Sequence, residues 1–418
     1  MTGQGEVQPF SARDNETKSF IPHDLKEIVL RIFAQSAAGG PHIALRELYE
    51  RAEIQDPYYV ASSVYDFLWK KVASESRRQL YPIVGDFFLS ALEQKLGQIG
   101  PNNVSSRFAE IMECYKGASD VKRMIEGPLY CVDLFLLKTT QLALSARNDD
   151  ANQDDGSEQN GGEFHSAFLA DEKLSTQEQI EHSLDLAKDV LMETQSALGH
   201  LAKAHAELDP RYIAFARATL DRLTLSWQQW SQMHKSKDIS AFTPEEYFKQ
   251  GLGAAEKVKS LVLAAMLLEQ VGEEYQDRMC REFLHHRFSN RPIDHPLRGC
   301  TFDSGEIYRD QGIIERENGA HVMSERRFSR AISLFAQLND RSSVAHTLIE
   351  RARLFMLRTD EAWRARADLH RAAQNIAAVL KRVPTSSPLP TLTPDQVLHF
   401  YEQKGMVQEA EIYRANEI

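Results

Sequence analysis

Apolar residues recur at helical spacing along most of this 418-residue chain, and no other feature restricts its possible folds as strongly. Near the start, Leu25, Ile28, Val29 and Ile32 are spaced as on one face of an α-helix, and comparable faces follow at intervals. We find no convincing alternation of strands and helices, which several catalytic folds require. The spacing therefore predicts an all-α protein.

Two long heptad patterns in the middle of the chain predict an antiparallel helical hairpin. Apolar positions between residues 180 and 201, and again between 213 and 230, alternate in steps of three and four, as in the seam between packed helices. The segment 207–212 contains a proline and is short enough for a turn between antiparallel helices. Trp227 and Trp230 lie at seam positions, so we expect core residues there, with ligand stacking as the alternative.

Composition divides the chain into five parts. The polar residues 1–20 predict a flexible tail, and residues 148–172 open with an acidic stretch that has too few apolar side chains to fold. We interpret 148–172 as a disordered linker or loop, with an acidic interaction tail as the alternative. The remaining parts are an N-terminal helical bundle (21–147), the hairpin with the helices that follow it (173–300) and a C-terminal array (301–418).

The last third of the chain shows a repeating pattern of helix pairs. Gly312, Phe328 and Ala331 fill small and large positions of one pair, a second pair runs from about 343 to 383, and a third begins at Thr393. Over about residues 306–416 these pairs resemble tetratricopeptide repeats. The resemblance implies an α-solenoid with a concave surface for peptides or partner proteins, and it implies no catalytic chemistry.

Charge and composition also restrict the location and the partners. The net charge of −11 argues against non-specific nucleic-acid binding by the whole molecule. Four cysteines do not make a disulfide framework, and the N-terminus lacks the apolar core of a signal peptide. The longest apolar run, 261–268, is too short to cross a bilayer. We therefore expect a cytoplasmic protein that does not enter the membrane.

Positive charge is concentrated between Gln276 and Pro384. This segment holds 19 basic residues, 18 of them arginine, against 14 acidic residues, so it carries +5 and the rest of the chain carries −16. Arginine suits bidentate pairing with carboxylate or phosphate. The segment therefore predicts a groove for an acidic peptide or a partner protein, while the scarcity of interleaved aromatic residues makes nucleic acid the weaker candidate.

The candidate partner-binding residues cluster on three predicted helices. They are Arg326, Arg327, Arg330, Arg351, Arg353, Arg364 and Arg366. The alternative is that these arginines lie on solvated faces and pair locally with acidic neighbours, namely Glu350, Asp360, Glu361 and Asp368.

A stretch rich in cysteine and histidine at 280–300 provides a candidate metal site. Cys280, His285, His295 and Cys300 offer the thiolate and imidazole ligands of structural zinc, and prolines between them predict a turn that could bring the two ends together. The usual pair of cysteines two residues apart is missing, so the alternative is a polar loop between helices.

The same stretch allows two enzymatic interpretations. One is a metal hydrolase that uses Asp294 and His295, and the other is a cysteine nucleophile, Cys300, activated by His285 or His321. Motifs of zinc proteases, serine hydrolases and nucleotide-binding enzymes do not occur. We therefore expect a non-enzymatic protein–protein interaction protein or regulatory adaptor without a cofactor. A zinc- or cysteine-dependent enzyme and a nucleic-acid-associated scaffold are the alternatives.

Overall fold

In the computed structural model, the described residues form sixteen α-helices and no strand, which confirms the predicted all-α class. These residues are 23–38, 43–54, 56–72, 74–96, 101–153, 175–204, 208–235, 244–271, 300–358 and 361–415. The helices are α1 (His23–Ala38), α2 (Ile43–Ile54), α3 (Pro57–Lys71), α4 (Ser74–Lys95), α5 (Pro101–Ala118), α6 (Val121–Gln153), α7 (Thr176–Ala204), α8 (Pro210–Lys235), α9 (Pro244–Lys257), α10 (Leu261–Val271), α11 (Cys300–Glu317), α12 (His321–Gln337), α13 (Arg341–Phe355), α14 (Ala362–Leu380), α15 (Pro394–Gln403) and α16 (Val407–Ala415).

Helix α6 is the centre of the packing. Each helix packs against the next one along the chain, and α6 also contacts α4, α8, α9, α10 and α12. Because neighbours surround α6, every residue from 125 to 140 is buried, including the charged residues Glu126, Asp133 and Lys138. The described helices do not include one with both the length and the apolarity needed to cross a membrane.

Helix α6 begins earlier and ends later than the sequence pattern indicates. A proline such as Pro128 favours a helix start, but the Asp120 side chain accepts a hydrogen bond from the Arg123 backbone N–H at 3.0 Å and starts the helix at Val121. Pro128 then removes a single backbone bond within a helix held by packing on several sides. The helix extends to Gln153, so the predicted linker is helical over 148–153, while the predicted tail and residues 154–174 lie outside the described residues.

The predicted hairpin is present as α7 and α8, and most of its seam is buried, while Ile213 and Trp227 on α8 are half-buried. The seam residues of α7 from Ile180 to Leu198 are all buried, and Ser175 and Glu178 form the capping box that starts the helix. Trp230 is fully buried, and Trp227 donates from Nε1 to the carbonyl of Leu184 at 2.9 Å. The heptad pattern predicts a contact between α7 and α8 only, whereas α7 also packs against α6.

Several helices are joined by the same three-residue turn. Its middle residue adopts a left-handed backbone, as at Lys259, Gly319, Asn339 and Gly405, and the next N–H bonds to a carbonyl five residues back. The turn at Lys259 divides the region from Pro244 to Val271 into α9 and α10. The same turns join α11 to α12 and α15 to α16, as short connections in predicted helix pairs require.

Two glycines allow α11 and α12 to pack closely, and this contact gives a stability prediction. A Cβ atom on Gly305 would lie 2.7 Å from the ring of Phe335, and one on Gly312 would lie 2.9 Å from the ring of Phe328.

Gly305→Ala should therefore lower the free energy of unfolding by about 1–3 kcal/mol, measured by urea denaturation. The control is Gly199→Ala, because no atom lies within 4 Å of the added Cβ. This control should gain about 0.5–1 kcal/mol, and equal effects would contradict the close-packing explanation.

Candidate binding groove between the N-terminal and C-terminal helices

Arg326 and Arg327 are buried where α12 meets the N-terminal helices. Their exposed fractions are 8% and 3%. Arg326 donates from Nη1 to the hydroxyl of Ser90 and from Nη2 to the carbonyl of Asp86 at 2.6 Å, both on α4. These arginines therefore connect α12 to the N-terminal half of the chain, and a partner could reach them only if this contact opened.

Arg327 lies between two buried carboxylates. It donates from Nη2 to Asp133 on α6 and from Nε to Glu315 on α11 at 3.3 Å, and its guanidinium lies 5.0 Å from the ring centre of Tyr130. Burial raises the pKa of Asp133 although Arg327 opposes the shift, and burial raises the pKa of Glu315 to about 7. One cation thus faces two carboxyl groups in a dry environment, which favours the protonated form of Glu315 more than water does.

The other five candidate arginines are engaged within the C-terminal helices or with α10. Arg330 pairs with Glu269, and Arg351 pairs with Asp368 at 2.7 Å. Arg353 pairs with Glu350 at 2.6 Å and with Glu409 at 2.5 Å, while Arg364 pairs with Glu325 at 2.6 Å and with Glu361 at 2.8 Å. The Arg366 guanidinium lies 4.6 Å from the ring centre of Tyr413. Three of the four acids that we considered as local partners are used in this way, and Asp360 lies outside the described residues. Much of the Arg-rich segment is therefore neutralised by the chain's own acidic residues.

Glu126 joins the two halves at a second point. Its Oε2 accepts hydrogen bonds from the backbone N–H groups of Val322 at 2.7 Å and Met323 at 3.2 Å, at the N-terminus of α12. A carboxylate at this end of a helix is favoured by the helix dipole. Burial nevertheless raises the pKa of Glu126 to about 7, because the side chain is almost completely removed from water.

A groove of about 290 Å³ lies between the two sets of helices. One wall comes from α2, α3 and α4 and is mixed in character. Its apolar residues are Tyr49, Ala52, Pro57 and Phe87, and its polar residues are Asp86, Ser90, Glu93 and Gln94. The opposite wall is polar and follows one stripe of α12, at spacings of three, four and seven residues. Its residues are Arg326, Ser329, Arg330 and Ser333. Arg351 of α13 and Arg364 of α14 extend this polar wall.

The carboxylates that line the groove already accept hydrogen bonds from neighbours. Asp86 accepts from Arg123 at 2.8 Å and from Tyr115 at 2.9 Å, while Glu93 accepts from the hydroxyl of Tyr130 at 3.0 Å. Glu325 pairs with two arginines, which lower its pKa well below the usual value although burial opposes ionisation. The groove therefore combines an apolar patch, formed by Tyr49, Ala52, Pro57 and Phe87, with arginines and carboxylates that already have partners within the chain.

The candidate zinc site lies mostly outside the described residues. This applies to Cys280, His285 and His295, while Cys300 is the first residue of α11. The described part of the chain contains no group of three or more His, Cys, Asp or Glu side chains that could hold a metal ion. Zinc binding by 280–300 therefore stays a prediction.

Other candidates for chemistry among the described residues are buried and have shifted pKa values. Burial, with help from Arg358 and Lys122, lowers the pKa of His321 to about 4. Burial also raises the pKa of the Cys114 and Cys131 thiols, which are free cysteines. These thiols are protonated at neutral pH and are poor nucleophiles.

Sequence reasoning did not identify the N-terminal contributors to the groove. Tyr49, Asp86 and Ser90 lie in ordinary helical patterns that carry no local signal. One signal was present in α6, where Asp133 is the one carboxylate in the mainly apolar stretch from Leu129 to Leu144. A lone carboxylate in such a helix needs a buried cation, and the Arg-rich segment was the available source.

Comparisons with protein-family models, with curated proteins and with solved structures find no match for this chain.

Proposed function

We propose that the protein is a non-enzymatic interaction protein, of the adaptor or regulatory kind, that binds a segment of a partner protein in the groove. The observation that carries the proposal is a groove in which an apolar patch, formed by Tyr49, Ala52, Pro57 and Phe87, lies opposite the arginines and serines of α12. Such a groove can take an apolar side chain on one side and polar chain atoms on the other.

The helix pairs from α11 to α16 support the same proposal. Short turns join α11 to α12 and α15 to α16, and the sequence of this region resembles tetratricopeptide repeats, which bind peptides. We further propose that the protein works in the cytoplasm, which agrees with the free thiols of Cys114 and Cys131. We expect the binding itself to need no metal ion.

A substitution that fills the groove tests the proposal. Ser333 is exposed and lines the groove, so Ser333→Trp should occupy the space without disturbing the core. The control is Ala336→Trp, because Ala336 is exposed one turn later on α12 and does not line the groove. Peptides selected on the wild-type protein from a random phage-displayed dodecapeptide library would be titrated against both variants by fluorescence polarisation.

We expect Ser333→Trp to weaken binding of the selected peptides by roughly tenfold or more, since the loss of one well-placed contact is worth a few kcal/mol. Ala336→Trp should bind them like the wild type. Failure to select any peptide, or equal binding by Ser333→Trp, would remove the groove as the binding site.

A further inference from the structure

A small set of side chains bridges the groove, and we call these side chains the clasp: Tyr49, Ser90, Arg326, Trp363 and Arg364. Arg326 reaches across to Ser90 and to the Asp86 carbonyl. On the other side of the groove, the Tyr49 and Trp363 ring centres lie 5.6 Å apart, and the Arg364 guanidinium lies 4.6 Å from the ring centre of Tyr49. The walls thus meet through side chains and not along a closely packed pair of helices.

Two donors in the clasp have no hydrogen-bond partner among the residues that the structure describes. They are Nε of Arg326 and Nε1 of Trp363, and both atoms are buried. A buried N–H without a partner costs free energy, and such groups are rare in folded proteins. Neither group can accept a hydrogen bond, so an acceptor oxygen is what satisfies each of them.

The clasp is a contact of few side chains, of which Ser90, Arg326 and Arg364 are polar or charged, as in contacts between domains that move. Helix α12 is held separately to α6 through Arg327 and Glu126, so the clasp can part while that junction stays closed. If the walls of the groove separated, the unpartnered donors of Arg326 and Trp363 would become accessible beside the apolar patch.

We propose that the clasp opens to admit a short extended segment of a partner protein, in which an acidic side chain lies next to an apolar one. This proposal rests on the proposed function and specifies its ligand and its regulation. In the open state the carboxylate accepts hydrogen bonds from Arg326, which lines the groove, and from Trp363, which packs against Tyr49 beside it. The apolar side chain packs on Tyr49, Pro57 and Phe87. Only molecules with an open clasp bind the segment. The apparent affinity is therefore the affinity of the open state multiplied by the fraction of molecules that are open.

Two single substitutions separate these roles because they act in opposite directions. Ser90→Ala removes a bond that closes the clasp and releases an Arg326 N–H for the ligand, so affinity should rise roughly two- to tenfold. Trp363→Phe keeps an aromatic ring beside Tyr49 and removes the donor, so affinity should fall roughly two- to tenfold. A purely structural role of these residues would change affinity in the same direction in both variants.

The probe is an immobilised synthetic peptide array in which Phe-Glu, Leu-Glu and Leu-Asp pairs are compared with Phe-Gln, Leu-Gln and Leu-Asn pairs. The wild-type protein should retain the acidic members roughly tenfold or more better than their amide counterparts. Thermal unfolding of each variant verifies that it is folded, and Ser333→Trp serves as the blocked groove.

Each outcome has a defined meaning. If Ser333→Trp abolishes binding but acid and amide peptides bind equally, the groove function stands and the acidic ligand is wrong. If Ser90→Ala and Trp363→Phe both weaken binding, the opening of the clasp is wrong. If no peptide is retained by the wild-type protein, the proposed function fails together with this inference.

Discussion

Replacing Arg327 with methionine is expected to lower the free energy of unfolding by about 3–5 kcal/mol, the largest loss that we predict for a single residue. Methionine fills a similar volume but leaves Asp133 and Glu315 without their shared cation, and both carboxyl groups are buried. Urea denaturation followed by circular dichroism measures the loss. The matched control is Arg414→Met, since the Arg414–Glu402 pair is about half exposed and should cost at most about 1 kcal/mol.

A rescue experiment distinguishes lost charge pairing from lost packing. The triple variant Arg327→Met, Asp133→Leu, Glu315→Met removes the cation together with both carboxyl groups. Because apolar residues of similar volume can replace a buried ion pair, this variant should return to within about 1 kcal/mol of the wild type. If the triple variant is as unstable as Arg327→Met alone, the contribution of Arg327 is packing and not charge.

The second large effect is a pH-dependent gain of stability in Glu126→Gln. The folded protein holds the Glu126 proton up to about pH 7, whereas the unfolded chain releases it near the ordinary value of 4.5. The contribution of this group to stability therefore falls as the pH rises from 4.5 to 7 and is constant above that range. Glutamine stays neutral and can accept the same two backbone bonds. It should match glutamate at pH 5 and exceed it by about 3 kcal/mol at pH 8.

The measurement is the difference in unfolding free energy between Glu126→Gln and the wild type from pH 5 to pH 8. The stability of one protein alone is not informative, because His321, whose pKa is lowered to about 4, makes the folded state more stable as the pH rises over part of this range. The difference between the two proteins removes this contribution, since both contain His321. Lys122, Arg358 and Tyr212 also face Glu126 and are present in both proteins. A difference that does not change with pH would show that Glu126 is already ionised throughout the range.

Local patterns were sufficient where neighbouring residues decide the structure. The capping boxes at Ser175 and Thr393 involve residues three apart, and both form as their sequences predict. The heptads of α7 and α8 likewise specify their own buried faces, since the spacing of apolar residues fixes which side of a helix avoids water.

Local patterns failed where a distant contact outweighed a local signal. Pro128 is an ordinary helix breaker, yet α6 continues through it because neighbours on several sides hold the helix. The division of α9 from α10 rests on a left-handed residue at Lys259, and lysine gives no sequence signal for that conformation. Both differences move helix boundaries and leave the all-α class unchanged.

The sequence by itself determined that this chain is helical, which stretches form most helices, and that its positive charge lies in one Arg-rich segment of an otherwise acidic chain. Only the tertiary structure decided what that charge contacts. Arg326 bonds to α4 and Arg327 to α6, through contacts between residues about 200 to 240 positions apart. Helical periodicity is a property of near neighbours, so it predicts which side of α12 is polar but not which distant helix covers it. Which helices form the wall opposite α12 therefore depends on how distant parts of the chain pack together.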